Sequence, residues 1–167
     1  MSETVARWLE AAGAQRDLVQ WAEAYGSDWQ ALWRACPRGD WLLAIAARRG
    51  TAREAILRAA RAVATLALDH AEGEERAMLE AALAAPSADA ADVVEARAAR
   101  SVDPAHQAAL AAVAIAVRGA VQDQPAVAML VAQAAAMDAA DCAMGAAVSY
   151  AQRRGAELVR EAIPDAP

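Results

Sequence analysis

Apolar positions along this chain recur three and four residues apart, the rhythm of a single helix face. Val5, Trp8, Leu9 and Ala12 keep it, predicting a first helix over 4–12 that stops at Gly13. Leu18, Trp21, Ala22 and Tyr25 keep it again over 15–25, before Gly26. A third helix starts at Ser27 or Asp28, either of which can cap free N–H groups. It carries Trp29, Leu32, Trp33 and Cys36 and ends at Pro37. A fourth spans 40–49, with Gly39 bending the chain, Asp40 as cap and Gly50 as stop. Thr51-Ala52-Arg53-Glu54 reads as a capping box opening a fifth helix over 51–70. Ile56, Ala59, Ala60, Val63 and Ala67 form its apolar stripe.

The later helices are longer and thinner in side chain. The pattern predicts helices over 74–85 and 87–100, the second capped by Ser87. Asp103-Pro104 reads as cap plus first-turn proline for a helix bearing Leu110, Val113, Ala114 and Val117. Residues 119–124 loosen the pattern and Pro125 restarts it, for a last helix running to Ala162. Val127, Leu130, Ala134, Met137, Asp141, Met144, Val148, Ala151, Gly155 and Leu158 step along it by three and four, a packing seam of mostly small residues. The expectation is an all-α single domain over 1–167, a multi-helix bundle of about eight or nine helices. A Trp-rich part covers 1–70 and an Ala-rich layer covers 74–163.

Composition strengthens the helical reading. Of 167 residues, 53 are alanine, with 13 leucines, no phenylalanine, no lysine and no asparagine. Alanine is the best helix former and is depleted in strands. Two cysteines, Cys36 and Cys142, exclude a disulfide scaffold. The net charge of -6 disfavours nucleic acid as a partner, because such binding rests on neutralising phosphates. It fits a dispersed protein or one that docks a basic partner. The arginine row Arg48, Arg49, Arg53, Arg58 and Arg61 is the one basic stretch, read as a solvated face. The start of the chain has no basic residues leading into an apolar run. The apolar stretch 126–137 is shorter than the roughly 20 residues that span a bilayer. The expected compartment is therefore the cytoplasm, with both thiols reduced and no membrane contact.

Candidate chemistry is sparse. His70, His106, Cys36 and Cys142 are the only soft metal ligands, and none forms a paired motif. The few serines, Ser2, Ser27, Ser87, Ser101 and Ser149, lie in no nucleophile motif, and no phosphate-binding glycine loop occurs. No catalytic residue, metal or cofactor is therefore assigned. Asp138 and Asp141 form a polar interruption of the last helix. Asp141 falls on the seam, where an arginine such as Arg118 or Arg58 must pair with it if it is buried. The alternative is an enzyme or ligand carrier built around Asp141. Trp8, Trp21, Trp29, Trp33 and Trp41 read first as core. Trp29 and Trp33, on the short third helix, are the candidates for an exposed docking surface, together with Arg38 and Asp40. Arg38-Gly39-Asp40 spells an adhesion tripeptide, but at a helix start it reads as a turn, with Arg38 pairing a nearby acid.

The run Arg34-Ala35-Cys36-Pro37-Arg38-Gly39-Asp40-Trp41-Leu42-Leu43, then Ala46-Ala47-Arg48, resembles the bacterial and phage-borne immunity proteins of polymorphic toxin systems. Members typically show a Trp, then Cys-x-Arg-Gly-Asp-Trp, then a Leu/Met-rich helix. The likeness continues through the basic, Ala-rich 57–68, through Glu72-Gly73-Glu74-Glu75-Arg76, and to Ala156-Glu157-Leu158-Val159-Arg160-Glu161-Ala162-Ile163-Pro164. Departures include Ala44 and Ile45 where members often carry Trp, and Gly155-Ala156-Glu157 where they carry Cys-Ala-Asp. The resemblance implies a non-enzymatic module that neutralises a cognate toxin by covering its active surface. A basic toxin would suit the chain's acidity. The residues Cys36 to Trp41 are expected to lock the fold. Self-association of copies through the last helix is the second reading.

Overall fold

The computed structural model describes residues 3–122 and 145–165. Every regular element among them is helical. The α-helices are α1 (Val5–Ala11), α2 (Arg16–Ala22), α3 (Trp29–Ala35), α4 (Gly39–Arg48), α5 (Arg53–Ala64), α6 (Gly73–Ala84), α7 (Ala88–Ala98), α8 (Pro104–Gln122) and α9 (Gly145–Ala162). Short 3₁₀ turns, Glu23–Tyr25 and Thr65–His70, continue α2 and α5, so those two α-helices end earlier than the apolar rhythm implies. The expected all-α architecture is what the described residues form. Asp138, Asp141 and the first part of the predicted seam lie outside them. No described helix is long and apolar enough to cross a membrane.

Local chemistry sets most boundaries as expected. Asp28 Oδ1 accepts from the Ala31 N–H at 2.9 Å, and Ser87 Oγ from the Ala90 N–H at 3.0 Å. Each bond satisfies one orphan donor of a first turn. Pro104 opens α8, with Asp103 O accepting from the Gln107 N–H at 2.9 Å.

Two starts differ from expectation. Asp40 does not cap α4. The N-cap is Arg38, and Asp40 sits in the first turn. The capping box at Thr51 does not form either. The cap of α5 is Ala52, with no side-chain bond. Thr51 instead closes α4: its N–H donates to Ala46 O at 3.0 Å and the Gly50 N–H donates to Ala47 O at 3.4 Å. Gly50, at φ +80°, supplies the left-handed residue this stop requires. The Thr51 hydroxyl is left buried with no hydrogen-bond partner among the described residues. Thr51→Val is therefore expected to raise stability by about 1 kcal/mol, since it removes an unpaired polar atom at constant shape. A functioning cap would give a loss of similar size. Urea denaturation separates the two signs.

Packing is layered around α5. α9 lies against α4 and α5; α5 in turn packs on α8, and α8 on α7 and α6. Trp41 to Ala46 of α4 are all buried, so this helix is apolar on every side and sits inside the molecule. α8 behaves similarly, burying Ala109, Leu110, Ala112, Val113, Ala114, Ala116 and Val117. Alanines let these rods approach closely at little gain per side chain, about 0.8 kcal/mol per buried CH₂. Indoles of α1 and α3 meet, as do those of α2 and α4. Trp8 meets Trp29 edge-on at 5.2 Å between centroids, and Trp21 lies 5.5 Å from Trp41.

Candidate functional site

The expected docking residues separate on inspection. Trp33 is 2% exposed and belongs to the core, which corrects its expectation as a surface residue. Its position in the fold explains this: it shares the buried face of α3 with Leu32. Trp29 is half-buried, and its ring carries the Arg49 guanidinium at 4.5 Å, a cation over an indole face. Arg38 and Asp40 are joined by two bonds, Nε to Oδ1 at 3.1 Å and Nη2 to Oδ2 at 2.6 Å. The Arg38 guanidinium also stacks on Trp41 at 4.5 Å. The bond from Asp40, against the opposing pull of partial burial, raises the already high pKa of Arg38 further.

This motif is tied to the other end of the chain. Gly39 lies against the backbone of Gly155 and Ala156 in α9. Arg160 Nη1 donates to Cys36 O at 2.9 Å and Trp33 O at 3.3 Å, satisfying carbonyls at the end of α3. The 36–41 stretch and the C-terminal half of α9 are thus packed on each other. Cys36 is buried, with Sγ 3.5 Å from Arg38 O. Burial pushes its thiol up to about 12, so it stays protonated and unreactive near neutral pH.

The arginine row is also largely committed to structure. Arg48 donates to Ala12 O, Gly13 O and Ala44 O, Arg58 donates to Ala162 O, and Arg49 stacks on Trp8 and Trp29. Arg118, considered above as a partner for Asp141, pairs with Asp92 and Glu95, each at 2.6 Å.

Two further surface features of the described residues bear on function. The first is acidic. Residues 72–97 hold seven carboxylates against two arginines, a net -5. Beside them, α6 and α7 enclose a groove of about 390 Å³ lined by Met78, Ala82, Ala85, Ala90 and Val93 with Asp89. Val93 is 53% exposed.

The second is a polar network joining α6, α7, α8 and the loop before α8. Glu75 Oε2 lies 2.7 Å from His106 Nε2, and Ser101 Oγ lies 2.9 Å from His106 Nδ1. Arg97 Nε donates to Glu75 Oε1 at 2.7 Å. That bond, outweighing partial burial and assisted by His106, holds the Glu75 carboxyl below the usual carboxylate range. The side chains of Glu75 and His106 are 17% and 22% exposed. Ser101, His106 and Arg97 border a cavity of about 320 Å³ together with Arg100, Val102 and Asp103. Sequence reading passed over this cluster. Ser101 and His106 are five residues apart across a helix start, and Glu75 is far away on α6, so no periodic or motif signal links them.

Among the described residues no group of three His, Cys, Asp or Glu is placed to hold a metal. No family model, curated protein or solved structure matches the chain.

Proposed function

We propose that this chain is a protein-binding module of the immunity type, which neutralises a basic partner protein by covering its active surface. The observation that carries this reading is the apolar α6–α7 groove set within the segment of net -5. The occupant it fits is an amphipathic helix of the partner, with apolar residues three and four apart against Met78 and Val93 and basic residues toward Asp89, Glu72 and Glu74. Complementary charge of this kind speeds encounter and selects the partner. A second copy of the chain is a poorer occupant, because it would bring like charge against like charge. Self-association through the last helix has less to offer, since the described end of that seam is already covered: Ala151 and Gly155 are buried, and Gly155 lies against Gly39 and Val63.

The test mixes the purified chain with the product of the adjacent reading frame and follows binding by calorimetry and stopped flow. A one-to-one complex is expected, with an association rate that falls as salt rises. Val93→Arg combined with Asp89→Lys is expected to weaken it at least 100-fold, while Gln30→Arg on exposed α3 leaves it intact. Absence of a complex, or indifference to the groove variant, overturns the reading. So does a stable homo-oligomer in light scattering that the groove variant dissolves, since the occupant is then a second copy.

A further inference from the structure

We propose that Ser101, His106 and Glu75 form a nucleophilic site that hydrolyses short-chain carboxylic esters through a covalent acyl intermediate on Ser101. This goes beyond the docking role and does not depend on it.

Glu75 is fixed by Arg97 and accepts from His106 Nε2 at 2.7 Å. A carboxylate at that nitrogen selects the tautomer with the proton on Nε2, leaving the Nδ1 lone pair for another group. That lone pair lies 2.9 Å from Ser101 Oγ, within reach for a general base. The two imidazole nitrogens are conjugated, so the orienting acid and the nucleophile can occupy either one. Ser101 Oγ has a second acceptor, Asp103 O at 3.2 Å, so the single hydroxyl proton has a longer alternative.

The surroundings supply what such a site needs. The cavity of about 320 Å³ borders both Ser101 and His106 and has room for a short-chain ester. Arg100 lines the same cavity. A positive charge there favours the oxyanion that develops during acyl transfer. It also favours substrates bearing an anionic group.

The reaction balances without any further reagent. Oγ attacks the ester carbonyl carbon while its proton passes to Nδ1. The tetrahedral intermediate collapses, the bond to the alcohol oxygen breaks, and that oxygen takes the proton from Nδ1. Water then attacks the acyl carbon and gives a proton to Nδ1. The bond from the acyl carbon to Oγ breaks and Oγ recovers the proton. Ester and water become alcohol and carboxylic acid, with no change of oxidation state.

The test uses the full chain, an alkyl fluorophosphonate and p-nitrophenyl butyrate. The absence of lysine removes the commonest source of background reaction with such esters. The expected result is one phosphonyl group per chain, mapped by mass spectrometry to Ser101 and absent in Ser101→Ala. His106→Asn is expected to slow labelling at least 100-fold while melting as the parent does. Glu75→Gln places an N–H against Nε2 and forces the wrong tautomer, for a loss of roughly 10²–10⁴-fold in ester hydrolysis. A purely structural network predicts no adduct on Ser101 at all. That result overturns the proposal, as does labelling unchanged by His106→Asn or hydrolysis unchanged in Ser101→Ala.

Discussion

Gly39→Ala is expected to lower stability by about 2–3 kcal/mol, while the same change at Gly155 raises it by about 0.5–1 kcal/mol. The two glycines face each other where α4 crosses α9, yet they are not equivalent. A Cβ on Gly39 would lie 2.8 Å from the Gly155 carbonyl carbon, 3.0 Å from its oxygen and 3.1 Å from the Ala156 nitrogen. All three are backbone atoms, so no rotamer change relieves the overlap and α9 must move away. A Cβ on Gly155 meets Gly39 Cα and Val63 Cγ1 at 3.9 Å, ordinary contact. There the gain is the usual advantage of alanine over glycine inside a helix. For a chain of this length the first change corresponds to a fall in melting temperature of about 4–12 °C. Calorimetry of the two variants checks both signs at once, and losses at both positions would contradict the described crossing.

Arg160→Met is expected to cost about 1.5–3 kcal/mol, the range for hydrogen bonds to a charged group. The guanidinium serves the carbonyls of Trp33 and Cys36, 127 and 124 residues away along the chain. Methionine keeps most of the apolar stem and removes the donors, so the loss reports on those carbonyls rather than on packing. Arg160→Lys is expected to recover part of it, because an ammonium is a point charge without the planar fork. Arg153→Met, at an exposed position on the same helix, is expected to change stability by less than about 0.5 kcal/mol. Urea titrations monitored by tryptophan fluorescence give all three values, and an unperturbed Arg160→Met would remove this tie between α9 and α3.

These two sites show where sequence reading reaches its limit. Cys36 to Trp41 could be singled out as a fold-locking motif, and Arg38 could be paired with a nearby acid. Neither reading contained Gly155 or Arg160 as the reason. Gly39 looks like a bend in one dimension, whereas in three it is the only residue type that admits the second helix. Trp33 shows the same gap. Periodicity put it on an apolar face, but the depth of that face depends on which helices cover it. At Thr51 the local pattern reads as the start of α5, whereas the backbone geometry at Gly50 makes it part of the stop of α4.

The network of Ser101, His106 and Glu75 was not legible at all. Hydrophobic period reports which side of a helix faces inward and carries no information about polar groups meeting across elements. The acidic balance was visible from composition. Its location beside an apolar groove emerged only when α6 and α7 came together.

By itself, then, the order of residues determined that the chain is helical, where most of its helices start and stop, and which side of each turns inward. These depend on alanine content, three-and-four spacing and caps within a few residues, all of which act over short range. The tertiary structure alone decided which rods cross and how closely, which arginines serve distant carbonyls, and which serine meets which histidine. Those outcomes depend on contacts between residues tens to more than a hundred positions apart, set by the joint packing of all the helices.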